Sequence, residues 1–303
     1  MNHDDDQNRN AFSEYNPAIN FLFYISAIVF GMFFVHPVFL LCSCVLAAAY
    51  YITIRGARAF KLILGLIPVF VIISVLNPLL NKYGEHVLFT WAGGRPYTLE
   101  ALFYGMAIGA MFVSIILWFA SYNVVMTSDK FMYLFGAMAP SVTLVLTMVL
   151  RFVPDYIAKT RQIAGARKSI GKGGAQDTKK KRFQNGATIL SALTSWALEG
   201  GIITADSMRS RGYGCGKRTS FSIYRFDSRD KCLMAFMIIL IAAVLICGLK
   251  GGMSTTFTPA LSIPGTDNPY TVTGLIAYFV LLAIPTFINI REEVVWRILR
   301  SGI

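Results

Sequence analysis

Arg167 and Arg211 each close a long stretch of helical pattern, and an arginine in that position has a distinctive chemistry. Its guanidinium is permanently charged and offers a fixed fork of donors that suits carboxylates and carbonyls. Arg167 stands between Ala166 and Lys168. Arg211 stands between Ser210 and Gly212, inside Arg211-Gly212-Tyr213-Gly214. Asp206, one turn and a residue before Arg211, is placed either to orient it or to stand solvated. Other reactive groupings fail on inspection. A phosphate loop needs four residues between its glycines and then Gly-Lys-Ser/Thr; here five separate Gly165 from Gly171, and Gly173 follows Lys172. No HExxH, GxSxG or clustered-carboxylate motif occurs, so no catalytic residue is assigned. Glu292 and Glu293 are adjacent, point to different helix faces, and are expected to cap a solvated C-terminal helix. The cysteines (42, 44, 215, 232 and 247) are odd in number and lack CxxC spacing, and His3, His36 and His86 are far apart. No metal site is expected; Cys42 and Cys44 lie in an apolar run as small filler.

The elements that carry these arginines belong to a membrane protein. Of 303 residues 55% are hydrophobic and only 15% charged, whereas a soluble domain is about a quarter charged. Charge-free apolar runs cover about 17–35, 37–54, 62–80, 101–126, 233–249 and 271–290. Each is near the roughly 20 residues that cross a bilayer, so an all-α integral membrane protein with about six transmembrane helices is expected. His36 and Pro37 alone separate the first two runs, which predicts a tight helical hairpin. The absence of Asp, Glu, Lys, Arg and His from the spans argues against a complete polar-substrate pathway in this chain. Gly105-x-x-x-Gly109 is expected to pack within the chain rather than in a dimer.

Charge is concentrated. The net charge is +12, and residues 151–231 hold 17 Lys and Arg against 6 Asp and Glu. Basic residues mark the cytoplasmic side. With the N-terminus inside, Arg55, Arg58 and Lys61, then Asp129 and Lys130, then Arg291, Arg297 and Arg300 all fall on that side, with 81–100 a polar loop outside. The run 131–150 is apolar enough to span, but a single crossing would put the basic island outside, so it is expected to lie at or dip into the cytoplasmic face. The expected layout is a cytoplasmic tail over 1–16, disordered over 1–10, then transmembrane helices over 17–127, a cytoplasmic coupling domain over 128–231, and transmembrane helices with a tail over 232–303.

Within the island, 140–168 and 183–211 each show 29 residues of helical pattern, long enough to reach roughly 43 Å. Phe152, Val153, Tyr156, Ile157 and Ile163 carry the apolar spacing of the first, which Pro154 is expected to kink. Ile189, Leu193, Trp196 and Ile203 share one face of the second. The Gly- and Lys-rich stretch 169–182 between them reads as an exposed linker.

Arg151-Phe152-Val153-Pro154, Ala166-Arg167-Lys168 and Ala205-Asp206-Ser207-Met208-Arg209-Ser210-Arg211-Gly212-Tyr213-Gly214 together resemble the transmembrane T component of energy-coupling factor (ECF) transporters. That family shows an RF(I/V)P segment and two Ala-Arg-Gly motifs, the second commonly within ARGYG. Met126-Thr127-Ser128 before an amphipathic segment is similar to it as well. The first motif here lacks the glycine, and the second has Ser210 for alanine. The resemblance implies long coupling helices crossing as an X in a cytoplasmic coupling domain, with Ala166, Arg167, Lys168, Ser210, Arg211 and Gly212 docking on two ABC-type ATPases. It implies a membrane-embedded S component as a further partner, with Leu193 and Trp196 as candidate contacts. On this reading the chain is a non-enzymatic scaffold of a bacterial or archaeal plasma-membrane importer of a vitamin or metal ion. It holds no cofactor of its own, since ATP and Mg bind the partner ATPases, and it takes no nucleic acid. The competing expectation is a membrane-anchored basic domain that binds anionic lipid or nucleic acid, which would need exposed aromatics interleaved with the basic residues.

Overall fold

The computed structural model describes residues 10–81, 86–91, 95–136, 139–172, 178–216, 224, 226–251 and 268–301. Most of the expected N-terminal tail and the Gly173-Gly174 part of the linker lie outside those residues. The chain divides into two compact units, one formed by Met1–Phe131 with Tyr224–Ile303 and the other by Met132–Ile223.

The first unit opens with a 3-10 turn, Ala11–Glu14, followed by α1 (Pro17–Phe33), α2 (Pro37–Arg55) and α3 (Arg58–Leu80). A short antiparallel hairpin, β1 (Val87–Trp91) with β2 (Arg95–Thr98), precedes α4 (Leu99–Val125). The short α5 (Ser128–Gly136) leads into the second unit, and α8 (Ser228–Leu249) and α9 (Pro269–Ser301) complete the first. The second unit consists chiefly of α6 (Pro140–Ser169) and α7 (Lys179–Ser210).

Local sequence explains the helical hairpin at the start. Proline has no N–H to lose at the first position of a helix, and a polar side chain just before it caps an orphan donor. Asn16 does this for α1, accepting from the Ala18 N–H at 3.0 Å ahead of Pro17. His36 does it for α2, its Nδ1 accepting from the Val38 N–H at 3.3 Å ahead of Pro37. The histidine is a buried helix cap.

Trp118 of α4 is fully buried at the centre of the core. It meets Phe23 edge-on at 5.4 Å and lies 6.1 Å from the Tyr50 ring. Such pairs add roughly 0.5–1.5 kcal/mol beyond area burial. The indole N–H donates to Ser43 Oγ at 3.0 Å, and Ser43 shares a 2.6 Å hydrogen bond with Ser114, so the buried polar atoms serve one another. From the other end of the sequence, Tyr278, Leu281 and Leu282 of α9 close the same core. Asn289 fastens the start of the chain to α9: its Oδ1 accepts from the Phe12 N–H at 3.1 Å and its Nδ2 donates to Asn10 Oδ1 at 3.0 Å.

α3 is peripheral, with Leu64, Ile72 and Leu76 exposed, and its main neighbour is α4. The contact depends on Gly105 and Gly109, so the GxxxG motif packs inside the chain. A Cβ at Gly105 would sit 2.7 Å from the Ser74 carbonyl oxygen and 2.9 Å from Asn77 Cβ. Backbone would have to move. Gly105→Ala is therefore expected to destabilise the first unit by about 1–3 kcal/mol, read as a lower thermal midpoint in detergent. Gly65→Ala, with open space around it, is the neutral comparison.

Among the described residues, seven helices are long and apolar enough to cross a membrane: α2, α3, α4, α6, α7, α8 and α9, with α1 shorter at 17 residues. This is an all-α, multi-pass integral membrane protein apart from the small hairpin. The expected six spans omit α6 and α7, which are the least apolar of the seven and have no residue buried in the apolar window.

Several expectations need correction. The basic loop after α2 shrinks to Gly56-Ala57, because Arg58 and Lys61 already lie in the first turn of α3. α9 runs unbroken to Ser301, so Glu292 and Glu293 lie inside it and cap nothing. Glu293 pairs with Arg297 one turn on at 2.6 Å, and both glutamates line a cleft of about 700 Å³ with Glu14 and Trp296. Lys179–Arg182 form the first turn of α7 rather than linker. Ile203 is 62% exposed because it lines an open cleft between α6 and the end of α7; Val153 and Ile157 of α6 are likewise exposed.

Candidate functional site

The second unit is an antiparallel helical pair. The partly buried residues of α6 recur about every four positions, through Leu144, Met148, Phe152, Tyr156, Ile163 and Arg167. On α7 they recur through Asn185, Ile189, Leu193, Trp196, Gly200 and Thr204. This is the spacing of one helix face. Contacts along the seam run in opposite order on the two helices. Arg167 Nε donates to Asn185 Oδ1. Tyr156 meets Trp196 edge-on at 5.5 Å, with Lys159 Nζ 5.6 Å from the same indole. Leu144 and Met148 share a cleft with Thr204 and Met208.

Because each arginine closes the C-terminus of its own helix, antiparallel pairing places Arg167 and Arg211 at opposite ends of the unit. A helix of 30 residues, the length of α6, spans about 45 Å. One helical pair thus presents two separated guanidinium groups, each at the negative end of a helix dipole where a cation is favoured.

The two ends share a cap. After α7, the Tyr213 N–H donates to the Met208 carbonyl and the Gly212 N–H to the Arg209 carbonyl, both at 3.0 Å. After α6, the Lys172 N–H donates to the Arg167 carbonyl at 2.9 Å and the Gly171 N–H to the Lys168 carbonyl at 3.0 Å. Both patterns are Schellman motifs, which need a left-handed residue just past the helix. Gly212 supplies it at φ 79° and Gly171 at φ 75°. Lys168 stands where the motif has its glycine, and Gly171 supplies the cap instead, with the arginine one turn further inside. Arg211 is the cap residue itself, whereas Arg167 lies three residues before its cap, Ile170.

A side chain at φ near +80° costs about 1–2 kcal/mol. Gly212→Ala is expected to speed amide exchange at Gly212 and Tyr213 by about fivefold or more, read in the full-length protein. Gly216→Ala, where φ is not positive, should leave those amides unchanged.

The other nominated residues fall as follows. Ala166, Lys168, Arg211 and Gly212 are exposed, and Ser210 donates its hydroxyl to the Ser207 carbonyl at 2.9 Å. Asp206 is exposed and makes no ion pair with Arg211 among the described residues. Leu193 and Trp196 face the α6–α7 seam, while Leu190, Leu198 and Ile202 point outward. No group of three or more His, Cys, Asp or Glu is close enough to hold a metal among the described residues.

Two residues escaped sequence reasoning. Asn185 looked like an ordinary polar residue, and only the antiparallel register brings it to Arg167. Lys130, in the first turn of α5, counted only as a loop charge. It is buried, and its Nζ donates to the Ser13 carbonyl at 2.5 Å, Ser13 Oγ at 2.6 Å and the Val125 carbonyl at 2.9 Å. Burial pushes its pKa down to about 8, against the opposing pull of Glu14. The Val125 carbonyl belongs to the last turn of α4, where carbonyls have no helical partner.

No protein-family model matches the chain. It is similar to the energy-coupling factor transporter transmembrane protein EcfT of Lactobacillus helveticus, 32% identical over 114 residues, 37% of this chain and 41% of the relative. It is also similar to EcfT of Bacillus selenitireducens, 28% identical over 110 residues, 36% of this chain and 41% of that relative. The chain thus spans about two fifths of the length of the curated relatives it matches.

Proposed function

We propose that this chain is the transmembrane T component of an ECF-type importer, a non-catalytic scaffold between ATPases and a substrate-binding subunit. The observation that carries the reading is the antiparallel pair with an arginine at each capped end, in a chain similar to two EcfT proteins. Helical arms transmit a displacement along their length, and two tips at opposite ends suit two ATPases. Closure of the ATPases on ATP would move the tips, and the apolar outer faces of the arms would pass the motion to an S component. The outward residues Leu190, Leu198 and Ile202 are better placed for that contact than Leu193 and Trp196, which are occupied in the seam. The basic island is assigned to the cytoplasm on its charge, and the imported substrate to the vitamin or metal-ion class on the resemblance.

Affinity purification of the tagged full-length chain from native membranes tests this. Two ABC-type ATPases and a small membrane protein are expected to accompany it, and the chain freed of them is expected to hydrolyse no ATP. Recovery without any ATPase, or hydrolysis by the chain alone, overturns the reading.

A further inference from the structure

The Arg151-Phe152-Val153-Pro154 segment has no part in the docking scheme so far, although its arginine faces the same cleft as Arg211. The cleft, about 470 Å³, opens between the N-terminal half of α6 and the end of α7. Arg151 and Arg211 line it from opposite helices, with Thr147, Thr204 and Ser207 between them. No carboxylate pairs with either arginine among the described residues. Thr147 and Thr204 already donate their hydroxyls at 2.7 Å to the Thr143 and Gly200 carbonyls of their own helices. Ser207 is the hydroxyl of the cleft without such a bond among the described residues. Leu144, Met148 and Met208 supply apolar lining.

Two like charges lining one cleft without a counter-ion repel each other, and an anion between them reverses the sign of the interaction. We infer that Arg151 and Arg211, with Ser207, form a single two-arginine receptor for a carboxylate of the ATPase that docks at this end. The occupant is a protein segment in which an Asp or Glu is flanked by apolar side chains. The forks match the carboxylate, and the leucine and methionines match its neighbours. The other end is built differently, since Arg167 already donates to Asn185 within the chain. The two tips are thus unequal, with the stronger anion receptor at the Arg211 end.

This rests on the T-component reading, and the experiment separates the two. Full-length protein in nanodiscs is titrated with the ABC-type ATPases that co-purify with it, using wild type, Arg151→Gln, Arg151→Lys, Arg211→Ala and the Arg151→Gln/Arg211→Ala double variant. Loss of one partner of a desolvated charge pair lowers affinity by about thirtyfold or more. Arg151→Gln and Arg211→Ala are each expected to show that loss. The double variant is expected to be little worse than either, because both arginines serve one carboxylate. Arg151→Lys should retain part of the binding and serves where the glutamine variant does not fold. Wild-type affinity in the correctly folded Arg151 variants, or losses that simply multiply, overturns the shared receptor. If Arg211→Ala also binds normally, the T-component docking itself fails. Replacing anionic by zwitterionic lipid in the nanodiscs should not change the Arg151→Gln deficit; a deficit that disappears assigns the cleft to a lipid headgroup and overturns the inference.

Discussion

In reconstituted vesicles, Arg211→Ala is expected to insert normally and to lose ATP-driven uptake, Arg167→Ala to lose less, and the double variant to lose nearly all. The asymmetry comes from position and partners. Arg211 is the cap residue of α7, exposed and unpaired with any carboxylate among the described residues. Its full donor set is therefore available, and on the proposed docking its removal would break a desolvated charge pair, at about 2–5 kcal/mol. Arg167 lies three residues inside its cap and already donates to Asn185. Its removal strips fewer bonds from a partner and also loosens the seam. Lys180→Ala is the control, an exposed charge in the first turn of α7. The measurement pairs substrate uptake with ATP hydrolysis by the assembled complex. Wild-type uptake in the double variant removes the tips from the mechanism.

Lys130→Met is expected to destabilise the first unit by about 2–3 kcal/mol. The methionine fills the space but leaves the Ser13 and Val125 carbonyls without their donor. Each unsatisfied buried acceptor costs about 1–3 kcal/mol, offset here by removing a buried charge. A pH arm isolates that charge. The folded pKa, about 8, is below the ordinary lysine value of 10.5, so the unfolded chain holds the proton more tightly. Between those limits unfolding takes up a proton, and stability therefore rises with pH. Thermal midpoints from pH 7.5 to 10.5 should climb in the wild type relative to Lys130→Met. Parallel profiles rule out Lys130 as the source of the slope.

The membrane body was largely legible in the sequence because apolar runs and Asn-Pro or His-Pro punctuation are local signals. Its helix ends were less so. Lys179–Arg182 read as linker since four charged residues carry no apolar period, yet they open α7 once its later turns pack on α6. Gly171 was counted against a phosphate loop, whereas its left-handed φ caps α6; composition alone does not separate those uses. The arginines were legible as chemistry, but their separation to opposite ends depends on antiparallel register. That register appears only when the Tyr156–Trp196 and Arg167–Asn185 contacts are seen together. Lys130 carried no sequence signal, because its acceptors are a turn 117 residues away and a helix end.

The bonds from Asn289 to Asn10 and Phe12 also set a timetable for synthesis. Asn10 leaves the ribosome 279 residues ahead of Asn289. At roughly 5–20 residues per second that interval is about 15 to 55 s. Until it ends, α1, α2 and then α4 stand without Tyr278, Leu281 and Leu282, which fill their shared core. The membrane body is therefore completed only after the whole second unit has been made.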